Sequence, residues 1–350
     1  MSLAEFWFAL IAFMFAGYFF LEGFDFGVGM LLPVLGKDDT NRRVMINTIG
    51  PVWDLNETWL IVAGASLFAA FPYWYATLFS GFYLPLLIIL VALIVRGVAF
   101  DYRGKVDDPR WRARWDVCII FGSVVPALLW GVAFANILRG VPIDADGNFT
   151  GNLFTLLNPF GLLGGLAMVA LFCTYGAIFI ALKTVGPIRQ EARRLAARIG
   201  IGAVVLGAIF LVWGLLVHGD VVSWALGILT AVLLVAGLGA NAREREGWAF
   251  ALVGVAVVGL VATLFVALFP DVMPSSTDPA FSLTVENASS TPRTLALMSW
   301  IALATLPFVL AYQAWTYWVF RKRIGRPSVP APCGIWVGLL GRPMRVRNTQ

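Results

Sequence analysis

Histidine is nearly missing from this chain: His218 is the one imidazole in 350 residues. Bis-imidazole haem sites and most zinc sites need several, so the chain alone cannot be a multi-haem cytochrome. Cysteine is scarce as well. Cys118, Cys173 and Cys333 are odd in number and unrelated in spacing, which gives neither a disulfide framework nor a metal-ligand motif. Charge is the third shortage. Only 13% of residues are Asp, Glu, Lys or Arg against 60% hydrophobic, and the mean hydropathy is +0.83. Too little polar surface remains to cover a soluble domain, so composition indicates an all-α protein that crosses a membrane repeatedly.

Apolar runs of about 20 residues, long enough to span a bilayer, occur at 6–33, 50–71, 76–100, 117–138, 160–182, 200–217, 221–240, 248–269 and 295–320. The amino terminus has no basic stretch and no small-residue cleavage site before its apolar run, so it reads as a retained first helix. Lys and Arg collect in alternate connections. Lys37, Arg42 and Arg43 follow the first run, Arg103 to Arg114 the third, Lys183 to Arg198 the fifth, and Arg243 and Arg245 the seventh. The tail adds Arg321, Lys322, Arg323 and four more, whereas the other connections hold only Arg139 and Arg293. Because basic loops stay cytoplasmic, the expected topology is nine helices with the amino terminus outside and the carboxyl terminus inside. The net charge of +5 then belongs to an inner face meeting anionic lipid, and no nucleic-acid module is present.

The connections 36–50 and 186–200 both begin and end in glycine and carry a basic pair. This weak repeat fits two four-helix bundles in parallel topology plus one peripheral helix, as in folds built by duplication. The expected division is 1–138 for the first bundle and 139–269 for the second, which includes an outer loop at 139–159. An outer loop and the ninth helix follow at 270–320, and a cytoplasmic basic tail at 321–350.

The informative residues are the ionisable ones inside apolar runs. Glu22 and Asp25 lie in GYFFLEGFDFGVGMLLP (17–33), Asp54 and Glu57 near the start of GPVWDLNETWLIVAGASLFAAF (50–71), and Arg96 near the end of the third run. An ionised side chain in hydrocarbon costs several kcal/mol, so such groups face the bundle interior and mark ion or proton paths. The expected topology brings Asp25, Asp54 and Arg96 to one level near the cytoplasmic surface, with Glu22 and Glu57 one turn deeper. Carboxyls at one-turn steps beside a cation suit proton transfer. The alternative is an Arg96 ion pair with Asp54 or Asp25 that only packs three helices. Gly23, Gly27 and Gly29 permit close helix approach, Trp53 suits an interface belt and Trp59 the core. His218 and Asp220 fall in a short outer turn.

The blocks EGFDFGVGML (22–31), GPVWDLNETWLI (50–61), FSGFY (79–83), RGVAFDYRGK (96–105), NPFGLL (158–163) and VMPSST (272–277) occur in order across most of the chain. In these blocks the chain resembles subunit II of the cytochrome bd quinol oxidases. The resemblance implies a partner subunit I that holds two b-type haems and one d-type haem, oxidises quinol near the outer face and reduces oxygen to water with cytoplasmic protons. It also implies lipid or structural quinone contacts on this chain and small accessory subunits in the complex. Asp25, Trp53, Asp54, Arg96 and Asp101 match family positions tied to the proton route or to assembly. Glu57 and Val52 stand where other members carry an amide and a histidine. Two rival readings are a proton-coupled secondary transporter and a purely structural membrane subunit.

Overall fold

The computed structural model describes residues 2–325; most of the expected basic tail and Cys333 lie outside them. In chain order the helices are α1 (Leu3–Met30), α2 (Leu32–Leu35), α3 (Asp39–Ile49), α4 (Trp53–Ala70), α5 (Pro72–Gly81), α6 (Tyr83–Tyr102), α7 (Pro109–Arg139) and α8 (Leu153–Leu156). There follow α9 (Pro159–Lys183), α10 (Pro187–His218), α11 (Val221–Ala242), α12 (Glu246–Leu268) and, after a two-stranded hairpin of β1 (Asp271–Met273) and β2 (Leu283–Thr284), α13 (Pro292–Val319).

Eight of these are long and apolar enough to cross a membrane: α1, α6, α7 and α9 to α13. Helix α4 is not among them. It has 18 residues, and Asp54, Asn56 and Glu57 in its opening turns lower its hydropathy. The expected third helix also differs, since residues 76–100 do not form one rod: α5 ends at Gly81 and α6 begins at Tyr83. Pro85 explains the break. It has no N–H, and in a continuous helix its ring would strike the carbonyl of Gly81. The connection after α1 is more ordered than a basic loop, holding the helix α3 capped by Asp38, whose Oδ1 accepts from the Asn41 N–H at 2.8 Å.

Helix α1 is the hub of the packing. It is apolar on all sides and touches α4, α7, α9 and α12, the burial expected of a central helix. Its closest partner is α9. A Cβ on Gly27 would lie 2.7 Å from the Gly176 Cα and nearer still to the Phe172 carbonyl oxygen, so the two backbones meet where side chains are absent. Gly23 meets the Phe172 ring and Gly29 meets Ser123, which makes all three glycines packing residues, as expected. The contacts of α1 with α4 and α7 are matched by those of α9 with α10 and α12, and α6 on α7 is matched by α11 on α12.

The two ends of the bundle differ in chemistry. At one end the segments 139–159 and 270–291 pack together, with the Val141 N–H donating to the Pro274 oxygen at 3.0 Å and the Ser276 N–H to the Val141 oxygen at 2.9 Å. The end of α4 joins them, as the Ser290 N–H donates to the Ala70 oxygen at 2.8 Å. At the other end the arginines gather. Asp116 accepts from Arg103 Nε at 2.5 Å and Arg42 Nη1 at 2.9 Å, and Asp39 from Arg103 Nη2 at 2.8 Å and Arg112 Nη1 at 3.0 Å. Part of the basic face expected to meet lipid is therefore spent on tying α3, α6 and α7 together.

Candidate functional site

In the first half of the bundle α1, α4 and α6 turn polar side chains toward one another. Glu22, Asp25, Asn56 and Arg96 are all 0% exposed. Arg96 Nη1 donates to a Glu22 oxygen and, at 3.0 Å, to Glu57 Oε1. Its guanidinium carbon lies 4.8 Å from the Phe26 ring centre and 5.3 Å from that of Phe100, so aromatic faces cover the cation where carboxylates do not. Glu57 is the member with an opening, its side chain keeping 20% exposure.

This geometry corrects the expected levels. The guanidinium of Arg96 meets Glu22 and Glu57, not Asp25 or Asp54, because the long side chain reaches past the turn on which it is rooted. Asp54 lies exposed in the first turn of α4, and Asp101 lies exposed in the last turn of α6. Trp53 is half-buried, with its ring centre 5.1 Å from that of Phe100 and its edge against Gly97. Trp59 is a core ring, packed on Gly17 and Phe13.

Asp25 instead has an amide partner that sequence reasoning missed. Asn56 Nδ2 donates to Asp25 Oδ2 at 2.6 Å and to the Leu21 oxygen at 3.3 Å. Asn56 Oδ1 in turn accepts from Gln313 Nε2 at 3.0 Å and from the Tyr317 hydroxyl at 2.9 Å. Helix α13, otherwise largely exposed, is thus keyed to the site by two polar side chains. Tyr18, one helical turn from Glu22 on α1, is fully buried with no partner for its hydroxyl. Also without a partner among the described residues are Glu22 Oε2, Asp25 Oδ1 and Arg96 Nε and Nη2.

The donors for a haem or metal do not fit. His218, the one imidazole, ends α10, far from this cluster in the fold, and the described residues contain no group of three or more His, Cys, Asp and Glu able to hold a metal ion. What the cluster offers is ionisable groups in the bundle interior. Two carboxyls, Glu22 and Glu57, meet one guanidinium, and a third, Asp25, meets the Asn56 amide.

Fold and site together define a polytopic helical membrane protein with a buried cluster of carboxyls, an amide and a guanidinium among its first helices. The family described as cytochrome bd terminal oxidase subunit II matches residues 3–320, and the chain belongs to that family. The chain is 43% identical over 329 residues to cytochrome bd ubiquinol oxidase subunit 2 of Bacillus subtilis, covering 92% of this chain and 97% of that one. It is 38% identical over 363 residues to cytochrome bd-I ubiquinol oxidase subunit 2 of Escherichia coli K12, covering 92% and 95%. Its fold superposes on the bd oxidase from Geobacillus thermodenitrificans with a TM-score of 0.73 and 15% identity, over 91% of this chain and 99% of that one. The chain is accordingly a subunit of a quinol oxidase complex, a multi-pass protein of the bacterial cytoplasmic membrane.

Proposed function

We propose that within the oxidase this chain carries protons from the cytoplasm toward the oxygen-reducing centre of a haem-bearing subunit I. Asp54 stands at the mouth and Glu57 receives the proton. The Arg96–Glu22 pair and the Asp25–Asn56 pair hold it, and Tyr18 is the next proton-bearing group along α1. Trp53 covers the mouth, and Asp101 adds an exposed carboxylate at the end of α6, the helix that carries Arg96. Subunit I binds the two b-type haems and the d-type haem and takes electrons from quinol; no electron passes through this chain. The observation that carries the reading is the continuous run of ionisable groups from partly open Glu57 through Arg96 to fully buried Glu22, with Asp25 beside it on α1. The partnerless atoms of Arg96, Glu22 and Asp25 support it, since buried polar atoms in that state are commonly met by water.

The same reading places the arginine-rich end in the cytoplasm and the hairpin end outside. Helix α4 becomes a ninth crossing, supported by its course from the basic end to Ser290. The paired contacts of α1 and α9 support two four-helix units, with α13 peripheral. Where the complex carries a structural quinone or lipid on this chain, the apolar groove of about 480 Å³ between α1, α4, α12 and α13 has room for its chain. The exposed outer face of α13 leaves space for small accessory subunits.

The Arg96 bridge also favours a second reading, in which the cluster only clamps three helices. Glu57→Gln and Asp25→Asn in the assembled oxidase separate the two. A proton path predicts lower quinol oxidase turnover with unchanged haem spectra and unchanged yield of complex. A clamp predicts lost complex with normal turnover in what remains.

A further inference from the structure

A second polar concavity lies at the basic end, away from the acid–arginine cluster. It has a volume of about 470 Å³ and sits between the first turns of α10 and the last turn of α11, lined by Arg189, Gln190, Arg193, Arg194, Asn241 and Glu244. Part of its charge is balanced. The buried Glu246 lies 2.7 Å from Arg189, 3.5 Å from Arg323 and 3.9 Å from Arg193 Nε, while Arg193 Nη1 lies 3.1 Å from the exposed Glu244. The cavity wall itself carries three arginines, 189, 193 and 194, and one carboxylate, Glu244; with Arg323 and Glu246, which pair beside it, four arginines meet two carboxylates, an excess of two positive charges. Arg194 is exposed and has no ion pair among the described residues.

The cavity wall also holds an unmet acceptor. Asn241 is 1% exposed, and its Nδ2 donates to the Arg193 oxygen at 3.0 Å, but its Oδ1 has no partner. A site with spare guanidinium charge and a buried acceptor suits a phosphate diester that also carries a hydroxyl. Beyond Arg198, which stands exposed one turn after Arg194 on the same face of α10, the surface leading toward the middle of the bundle is apolar. Arg194, Ala197, Ile201 and Val205 follow at steps of three and four along one stripe of α10. Ile201, Val205 and, on α11, Val235 are exposed. A free phosphate ion would use the arginines and leave this stripe idle.

We propose that this cleft binds one anionic phospholipid with a glycerol headgroup. Its phosphate lies on Arg193 and Arg194, a headgroup hydroxyl donates to Asn241 Oδ1, and its acyl chains run along the Ile201–Val205 stripe. The lipid pins α10 to α11 at the membrane surface, where each such arginine contributes roughly a fivefold gain in affinity for an anionic headgroup.

The test is a titration of the purified, delipidated oxidase with dioleoyl phosphatidylglycerol, dioleoyl phosphatidylcholine and inorganic phosphate, with bound lipid counted by native mass spectrometry. Arg194→Gln suits it because that side chain is exposed and unpaired, and Ile201→Asn probes the acyl stripe. The wild-type complex is expected to keep one phosphatidylglycerol that phosphatidylcholine does not replace. Arg194→Gln should weaken it about fivefold, Ile201→Asn should weaken it too, and inorganic phosphate should not displace it. Equal binding of the two lipids, or unchanged phosphatidylglycerol affinity in Arg194→Gln, overturns the site. Displacement by inorganic phosphate with no effect of Ile201→Asn makes the ligand a free anion and overturns the lipid assignment.

Discussion

Arg96→Met removes the one guanidinium that faces Glu22 and Glu57. Methionine keeps the inner stem against Gly122, so the loss is the guanidinium itself, with its carboxylate partners and its seat over Phe26 and Phe100. Removing one partner of a buried pair costs about 3–5 kcal/mol, because the other charge is left unpaired in a medium that cannot solvate it. Arg96 and Glu22 are both 0% exposed, which puts this pair at the costly end of that range. Glu57, partly open, adds less. The acids can escape part of the penalty by taking up protons, so Arg96→Met should lower the melting temperature and the yield of assembled oxidase without abolishing either. Adding Glu22→Gln to Arg96→Met removes the most deeply stranded carboxylate and should recover a substantial part of the loss. The assay is thermal unfolding of the purified complex, with yield by size-exclusion chromatography, for the two single variants and the double. An unchanged melting temperature in Arg96→Met, or a double variant no more stable than Arg96→Met alone, would refute the charge-balance argument.

Asn56→Leu should cost about 1–3 kcal/mol by stranding Asp25 Oδ2, Gln313 and Tyr317, and it should loosen α13, read as faster amide exchange in residues 305–319. Gly176→Leu drives a side chain into the Gly27 backbone, where no flexible group can yield, so the assembled complex should fall sharply while a matched change at the open position Gly202 leaves it intact. Burial raises the Asp271 carboxyl above its usual range, against an opposing pull from His218. The folded state then holds that proton more tightly than the unfolded chain, and this group's contribution to stability is lost as pH rises from the ordinary carboxylate range through the raised value. Asp271→Asn should therefore stabilise slightly near neutral pH, with the gain gone at about pH 3; equal shifts at both would contradict this.

Composition and loop charge were enough to expose a polytopic helical membrane protein, because hydrocarbon tolerates so few sequence patterns. Glu22, Asp25, Glu57 and Arg96 were legible for the same reason: each is an ionisable group inside an apolar run. Their pairing was not. Asp54 and Glu57 are three residues apart, and only the rotation of α4 about its axis decides that Glu57 meets Arg96 while Asp54 stays at the surface. Asn56 gave no warning, since a neutral amide between two acids looks like filler until Asp25 is seen against it. Gln313 and Tyr317 were further out of reach, because they lie more than 250 residues away on a helix whose docking face carries no periodic signal. The break at Phe82 could have been read from Pro85, which stands too far inside the expected third helix.

The central claim is that protons reach the oxygen-reducing centre through the carboxyls of this chain. It is tested most directly by mixing the reduced complex with oxygen and following proton uptake with a pH-indicating dye, in wild type and in Glu57→Gln. The account predicts uptake slowed at least about tenfold, oxygen reduction slowed in step, and haem spectra unaltered. Uptake at the wild-type rate in Glu57→Gln would contradict it.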